Sequence, residues 1–214
     1  MKLNTISPLI EAAKLAVEVP AKQPTLLAKL QAHGLDPAAQ KQGQQLLQQF
    51  IQQQANHQRL KEDQWSVTQQ IKEALVAVQS QFRAHVRVAK VAFREDKALL
   101  HALRIERIST RRWECVKQAD HFYSLLRQRQ VSLKAYDISD KEIEQSQASV
   151  TQLLQLKQDR TALKGQVEQE TLDKRNTQHA LQAWVAEFRL IARVAFRHQP
   201  QWLEAFGVAV ATPA

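Results

Sequence analysis

The chain has 214 residues and a net charge of +9, with only 4 Gly, 6 Pro and one Cys. A single cysteine excludes an internal disulfide framework and any four-cysteine metal site. Four scattered glycines exclude a glycine-rich phosphate cradle, and no Pro lies between Pro37 and Pro200, which argues against β and α/β folds.

Gln is the commonest polar residue, with 31 copies. Together with Ala, Leu, Lys, Arg and Glu it makes a composition of good helix formers. The expected fold class is therefore all-α: an elongated antiparallel helical bundle of long, coiled-coil-like helices arranged as two tandem pseudo-symmetric repeats.

In chain order, residues 1–19 show no unbroken apolar core with a small-residue cleavage site, so no signal peptide is read. Segment 6–33 carries Pro20 and Pro24 and is expected as two shorter helices meeting at a kink. Gly34-Leu35-Asp36-Pro37 reads as a helix stop followed by an Asp cap and Pro in the first helical position. From there 37–94 runs without a breaker, and as one helix it measures about 87 Å. Within it Ile71, Leu75, Val78, Phe82, His85, Ala89 and Ala92 follow a 4-3 spacing, the seam of a bundle.

Asp96 is placed to cap a helix around 97–135, expected to be uninterrupted. Ser139 then caps the next segment, 140–198, and Glu142 stands where a capping box needs it. Leu181, Trp184, Phe188, Ile191 and Ala195 repeat the seam. The polar middles of the two long segments leave room for a hairpin in each, but long helices are preferred. Gln199-Pro200 marks a restart, and the apolar stretch 206–211 is expected to plug the end of its own bundle.

Sliding the chain along itself by 103 positions pairs 89–94, Ala-Lys-Val-Ala-Phe-Arg, with 192–197, Ala-Arg-Val-Ala-Phe-Arg. Over the 77 pairs from Lys29/Ser132 to Ile105/Val208 there are 18 identities, against roughly 6 expected by chance. The expected organisation is a repeat over 1–108 and a second over 109–214, packed as one continuous bundle that shares a helix around 97–135.

No catalytic constellation is visible. Glu-x-x-His and His-Glu-x-x-His do not occur, so no metal ligand set is assigned and no cofactor is expected. None of the seven histidines meets another at the equivalent repeat position; His85 pairs with Phe188 and is read as a hydrogen-bonded core histidine. Cys115 lies beside Trp113 and Val116 and is read as buried. No Gly-x-Ser-x-Gly or Ser-x-x-Lys context appears, so no hydrolase is indicated. An enzyme is not expected, no catalytic residue is assigned, and the sequence names no small-molecule ligand.

The sharpest surface feature is basic. Arg83, Arg87, Lys90, Arg94 and Lys97 recur at 4-3 spacing displaced from the seam, and Arg189, Arg193 and Arg197 form a similar ladder. Arg83, Arg87, Lys90, Arg94, Arg189, Arg193 and Arg197 are the candidate residues for binding an anion or a partner. The leading expectation is a non-enzymatic helical scaffold or protein-interaction module, with a protein partner or self-association. The alternative is binding of nucleic acid or another polyanion through the ladders. The longest apolar run, Ala74–Val78, is five residues, so no membrane span is expected. With one thiol and no leader, the expected location is the cytoplasm.

Overall fold

The structure, a computed structural model, describes residues 6–208. The described residues are helical: α1 (Ile6–Lys22), α2 (Pro24–Ala32), α3 (Pro37–Ala92), α4 (Lys97–Ala102), α5 (Arg112–Gln128), α6 (Asp140–Ala195) and α7 (Gln201–Ala205), with a short 3-10 turn at Lys134–Tyr136. No hairpin interrupts the two long segments; α3 and α6 are single helices of 56 residues each. Their first residues, Pro37 and Asp140, and their last, Ala92 and Ala195, stand 103 positions apart, the offset at which the chain best matches itself.

The capping residues act at three of the joints. Asp36 Oδ1 accepts from the Ala39 N–H at 2.6 Å, and Asp96 Oδ1 from the Leu99 N–H at 2.8 Å. Ser139 Oγ accepts from the Glu142 N–H at 3.1 Å. Glu142 does not complete the capping box, because its carboxylate is taken by His85. Gly34, at φ +109°, closes α2 in a Schellman turn: the Leu35 N–H donates to Leu30 O and the Gly34 N–H to Gln31 O.

One expectation about breaks holds, since segment 6–33 forms two shorter helices, and one is corrected. The first break lies at Gln23, just before Pro24, whereas Pro20 sits inside the last turn of α1. A proline restricts the residue before it, and Gln23 accordingly adopts an extended φ of −133°. The second concerns the helix expected around 97–135, which is cut into α4 and α5. Leu103 and Ile105, two residues apart, are both buried, a spacing that helical rotation puts on opposite faces. Arg104 between them turns to a φ of +56°, and the chain crosses residues 103–111 as an ordered loop.

The chain forms two compact units, residues 60–166 and residues 1–59 with 167–214. Unit 2, the contiguous one, packs α3 from Ile71 onward, α4, α5 and the first half of α6 around Phe82, Val86, Phe122, Tyr123, Leu126 and Val150. Phe82, Phe122 and Tyr123 meet edge to face with centroids 5.1–6.3 Å apart. α3 and α6 run antiparallel here: His85 meets Glu142, while Val78 and Ala74 face Ser149 and Leu156.

Unit 1 packs α1, α2, the first part of α3, the last part of α6 and α7 around Leu30, Phe50, Leu181, Trp184, Phe188, Phe196 and Phe206. The Trp184 indole N–H donates to Ala39 O at 2.8 Å, and the ring fills the space a side chain on Gly43 would need. Phe206 and Val208 are buried in this core; residues 209–211 of the expected plug lie outside the described residues. Every seam residue named from the sequence is buried, apart from Ala92 and Ile191, which are half-buried.

Candidate partner-binding surface

Three of the seven histidines, His57, His85 and His121, and the lone cysteine are tied into internal contacts, whereas His33, His101, His179 and His198 are exposed. His85 is buried. Its Nε2–H donates to Glu142 Oε1 at 2.9 Å, and its Nδ1 accepts from the Tyr123 hydroxyl at 3.1 Å. Both ring nitrogens are thereby used. Burial pushes the Tyr123 phenol far above its usual range; a hydrogen bond to Ser146 opposes the rise and the Glu142 charge adds to it. His57, also buried, accepts from Lys174 Nζ at its Nδ1 (3.3 Å) and donates from Nε2 to Thr171 Oγ1 (3.1 Å). His121 donates from Nε2 to Ala102 O at 2.8 Å. The Cys115 thiol is buried, which pushes its pKa up, with Arg83 nearby pulling partly the other way. Among the described residues no group of three or more His, Cys, Asp and Glu side chains is placed to hold a metal ion. No helix among them is long and apolar enough to cross a membrane.

The predicted ladders fall on separate units. Arg83, Arg87, Lys90 and Arg94 lie exposed along the α3 portion of unit 2 and the turn that follows it. In unit 1, at the end of α6, Arg193 and Arg197 are exposed and Arg189 is half-buried. Arg94 pairs with its neighbour Glu95 at 3.1 Å, and Arg197 contacts the next residue, His198. Arg87, Arg189 and Arg193 make no hydrogen bond or ion pair among the described residues. Like charges one turn apart on a helix cost about 0.2–0.5 kcal/mol per pair, so the ladders are not there to stabilise their helices.

Sequence periodicity missed a second set of cations. Between α4 and the first residue of α5, Arg104, Arg107, Arg111 and Arg112 are all exposed, and none of the four guanidiniums has a hydrogen-bond or ion-pair partner among the described residues. Their density, four arginines in nine residues, is the signal that a search for helical spacing passes over.

This loop is held in place. Gln118 clamps it by accepting from the Ser109 N–H (2.8 Å) and donating to Arg107 O (3.1 Å), and Leu103 and Ile105 anchor it in the core. A cavity of about 400 Å³ opens between Arg107, Ser109, Thr110, Arg111, Glu114 and Gln118.

Two side chains of α3 reach across to the loop: Lys90 Nζ donates to Glu106 O at 3.0 Å, and Gln79 Nε2 to Arg112 O at 3.3 Å. Ladder and loop thus form one surface. Residues 79–117 hold ten Lys and Arg against four Asp and Glu, so this stretch carries most of the chain's positive excess. Such a surface can take a carboxylate or a phosphate in a two-pronged hydrogen bond at each guanidinium.

Comparison with known proteins gives no relative from which to read a role: no family model, curated protein or solved structure matches this chain.

Proposed function

We propose that the chain is a non-enzymatic helical scaffold, a protein-interaction module that works through its surface. The face it uses is the basic one on unit 2, where the α3 ladder meets the α4–α5 loop. One observation carries this reading: the guanidiniums of Arg87, Arg104, Arg107, Arg111 and Arg112 stand exposed and unpaired among the described residues, on backbone that is itself clamped. Preorganised cations lose little entropy on binding, and an acidic protein segment supplies the missing counter-charge. The commitment of His57, His85, His121 and Cys115 to internal contacts supports a role without turnover. We read the chain as an internal duplication, supported by the 18 identities at one offset, and as cytoplasmic, where a lone thiol needs no partner.

The test is a native pull-down with the full chain and with the fourfold variant Arg104→Glu, Arg107→Glu, Arg111→Glu, Arg112→Glu. These side chains are exposed, so the variant keeps its helical circular dichroism. Partners held by the wild type and lost from the variant are the expected result. Turnover of a small molecule by a chain that retains no partner sinks the reading.

The same four arginines favour a second reading, a nucleic acid or other polyanion, because a guanidinium fork fits phosphate as well as carboxylate. Mobility shift over a salt series separates the two: phosphate-backbone binding weakens steeply and linearly in log salt. Absence of a shift at low salt removes this second reading.

A further inference from the structure

The longest internal match, 89–94 with 192–197, has two faces. Its inward residues are explained by packing: Ala89, Ala192, Ala195 and Phe196 are buried, and Ala92 and Phe93 are half-buried. Its outward residues are not. Lys90, Val91 and Arg94 are exposed in unit 2, and their counterparts Arg193, Val194 and Arg197 are exposed in unit 1. Val91 is 58% exposed and Val194 57%. An exposed helical valine contributes nothing to the core and is a poor helix former. Yet the same valine stands at the same place twice, each time with a cation just before it and another one turn after.

Each valine has apolar company at the surface. Val91 borders a groove of about 520 Å³ that also touches Arg87, Val88, Ala135, Asp137 and Tyr136, a residue 44% exposed. Val194 lies one helical turn from Leu190, itself exposed. An apolar strip edged by cations is the complement of an amphipathic helix whose apolar stripe is edged by carboxylates. A nucleic-acid backbone leaves the valines and Leu190 without a contact, and a second copy of this chain brings cations against cations.

We propose that 90–94 and 193–197 are two equivalent docking spots, each taking one acidic amphipathic helix, so that one chain binds two such segments. This rests on the interaction-module reading above and adds the partner's chemistry and its number. The valine enters the partner's apolar stripe, while the preceding cation (Lys90 or Arg193) and the following arginine (Arg94 or Arg197) pair with its flanking carboxylates.

Isothermal titration of the full chain tests it, with a synthetic helix-forming peptide of about 20 residues that carries leucine at heptad positions a and d and glutamate at e and g. Two peptides per chain are expected. Val91→Asp removes one site, Val194→Asp removes the other, and the double variant removes both. A peptide of identical composition with the heptad order scrambled is expected to bind about tenfold more weakly.

Four results overturn the proposal: one site or none; valine variants that bind like the wild type; equal binding of the scrambled peptide, which means that charge alone is read; or a concentration-dependent dimer abolished by Val91→Asp, which means that a second copy occupies the spot. If the native partner is lost on reversal of the loop arginines but retained by both valine variants, the docking spots fall and the interaction module stands. If it survives both sets of variants, both fall.

Discussion

At the scale of single residues, the instructive case is His85. Its seam position and the phenylalanine, Phe188, that stands 103 positions on point to a core role, and the structure adds the partners, Tyr123 and Glu142. Those partners could not be read from spacing, because Tyr123 lies on another helix and Glu142 looked like half of a capping box. The network is costly to break. Tyr123→Phe leaves His85 Nδ1 buried without a donor and is expected to lower stability by about 1–2 kcal/mol in urea unfolding; an unchanged midpoint contradicts the bond.

The same phenol sets an alkaline limit. Burial raises its pKa in the folded protein above the usual phenol value of about 10, so the folded state holds a proton that the unfolded chain gives up. That contribution is complete below pH 10 and falls away as pH rises above it. A melting temperature that declines above pH 10, less steeply in Tyr123→Phe, is the expected result.

At the scale of elements, capping chemistry and the Gly34 stop were legible, and left-handed stops without glycine were not. Asp36, Asp96 and Ser139 accept the bonds their positions imply. α4 and α5, in contrast, end without glycine: Arg104 and Gln130 take φ of +56° and +52°. The core imposes these conformations by drawing in Leu103 and Ile105 after α4, and Leu133 after α5. An arginine or glutamine carries no such signature in sequence, which is why one helix was expected around 97–135.

The strain gives a prediction of unusual sign. The Gln130 side chain is exposed and its N–H donates to Arg127 O within the turn, so Gln130→Gly keeps the bond and removes the Cβ penalty. A gain of about 1 kcal/mol is expected, read as a higher urea midpoint. A loss of stability means that the turn does not carry the strain.

At the scale of the whole molecule, charge and similarity divide the labour differently. Of the residues that match at the 103-position offset, only Ala89 and Ala92 belong to the α3 seam, and Gln42, Gln44, Gln49, Gln52, Lys61, Thr68, Gln79 and Arg94 are polar; the histidines, the cysteine and the loop arginines have no equivalents. The ladders were legible because helical spacing exposes them. The loop arginines were missed because their convergence with α3 depends on the bonds from Lys90 and Gln79, which join positions far apart in sequence. The outcome is a chain with two helical units, of which unit 2 concentrates the basic surface.

Where a partner sits is therefore the decisive question, and the lysines report it. Amine-reactive cross-linking of the native complex, read by mass spectrometry, is predicted to join the partner to Lys90, Lys97 and Lys117, which lie exposed within the basic stretch of unit 2. Cross-links confined to Lys14, Lys22 and Lys41 of unit 1 contradict the account.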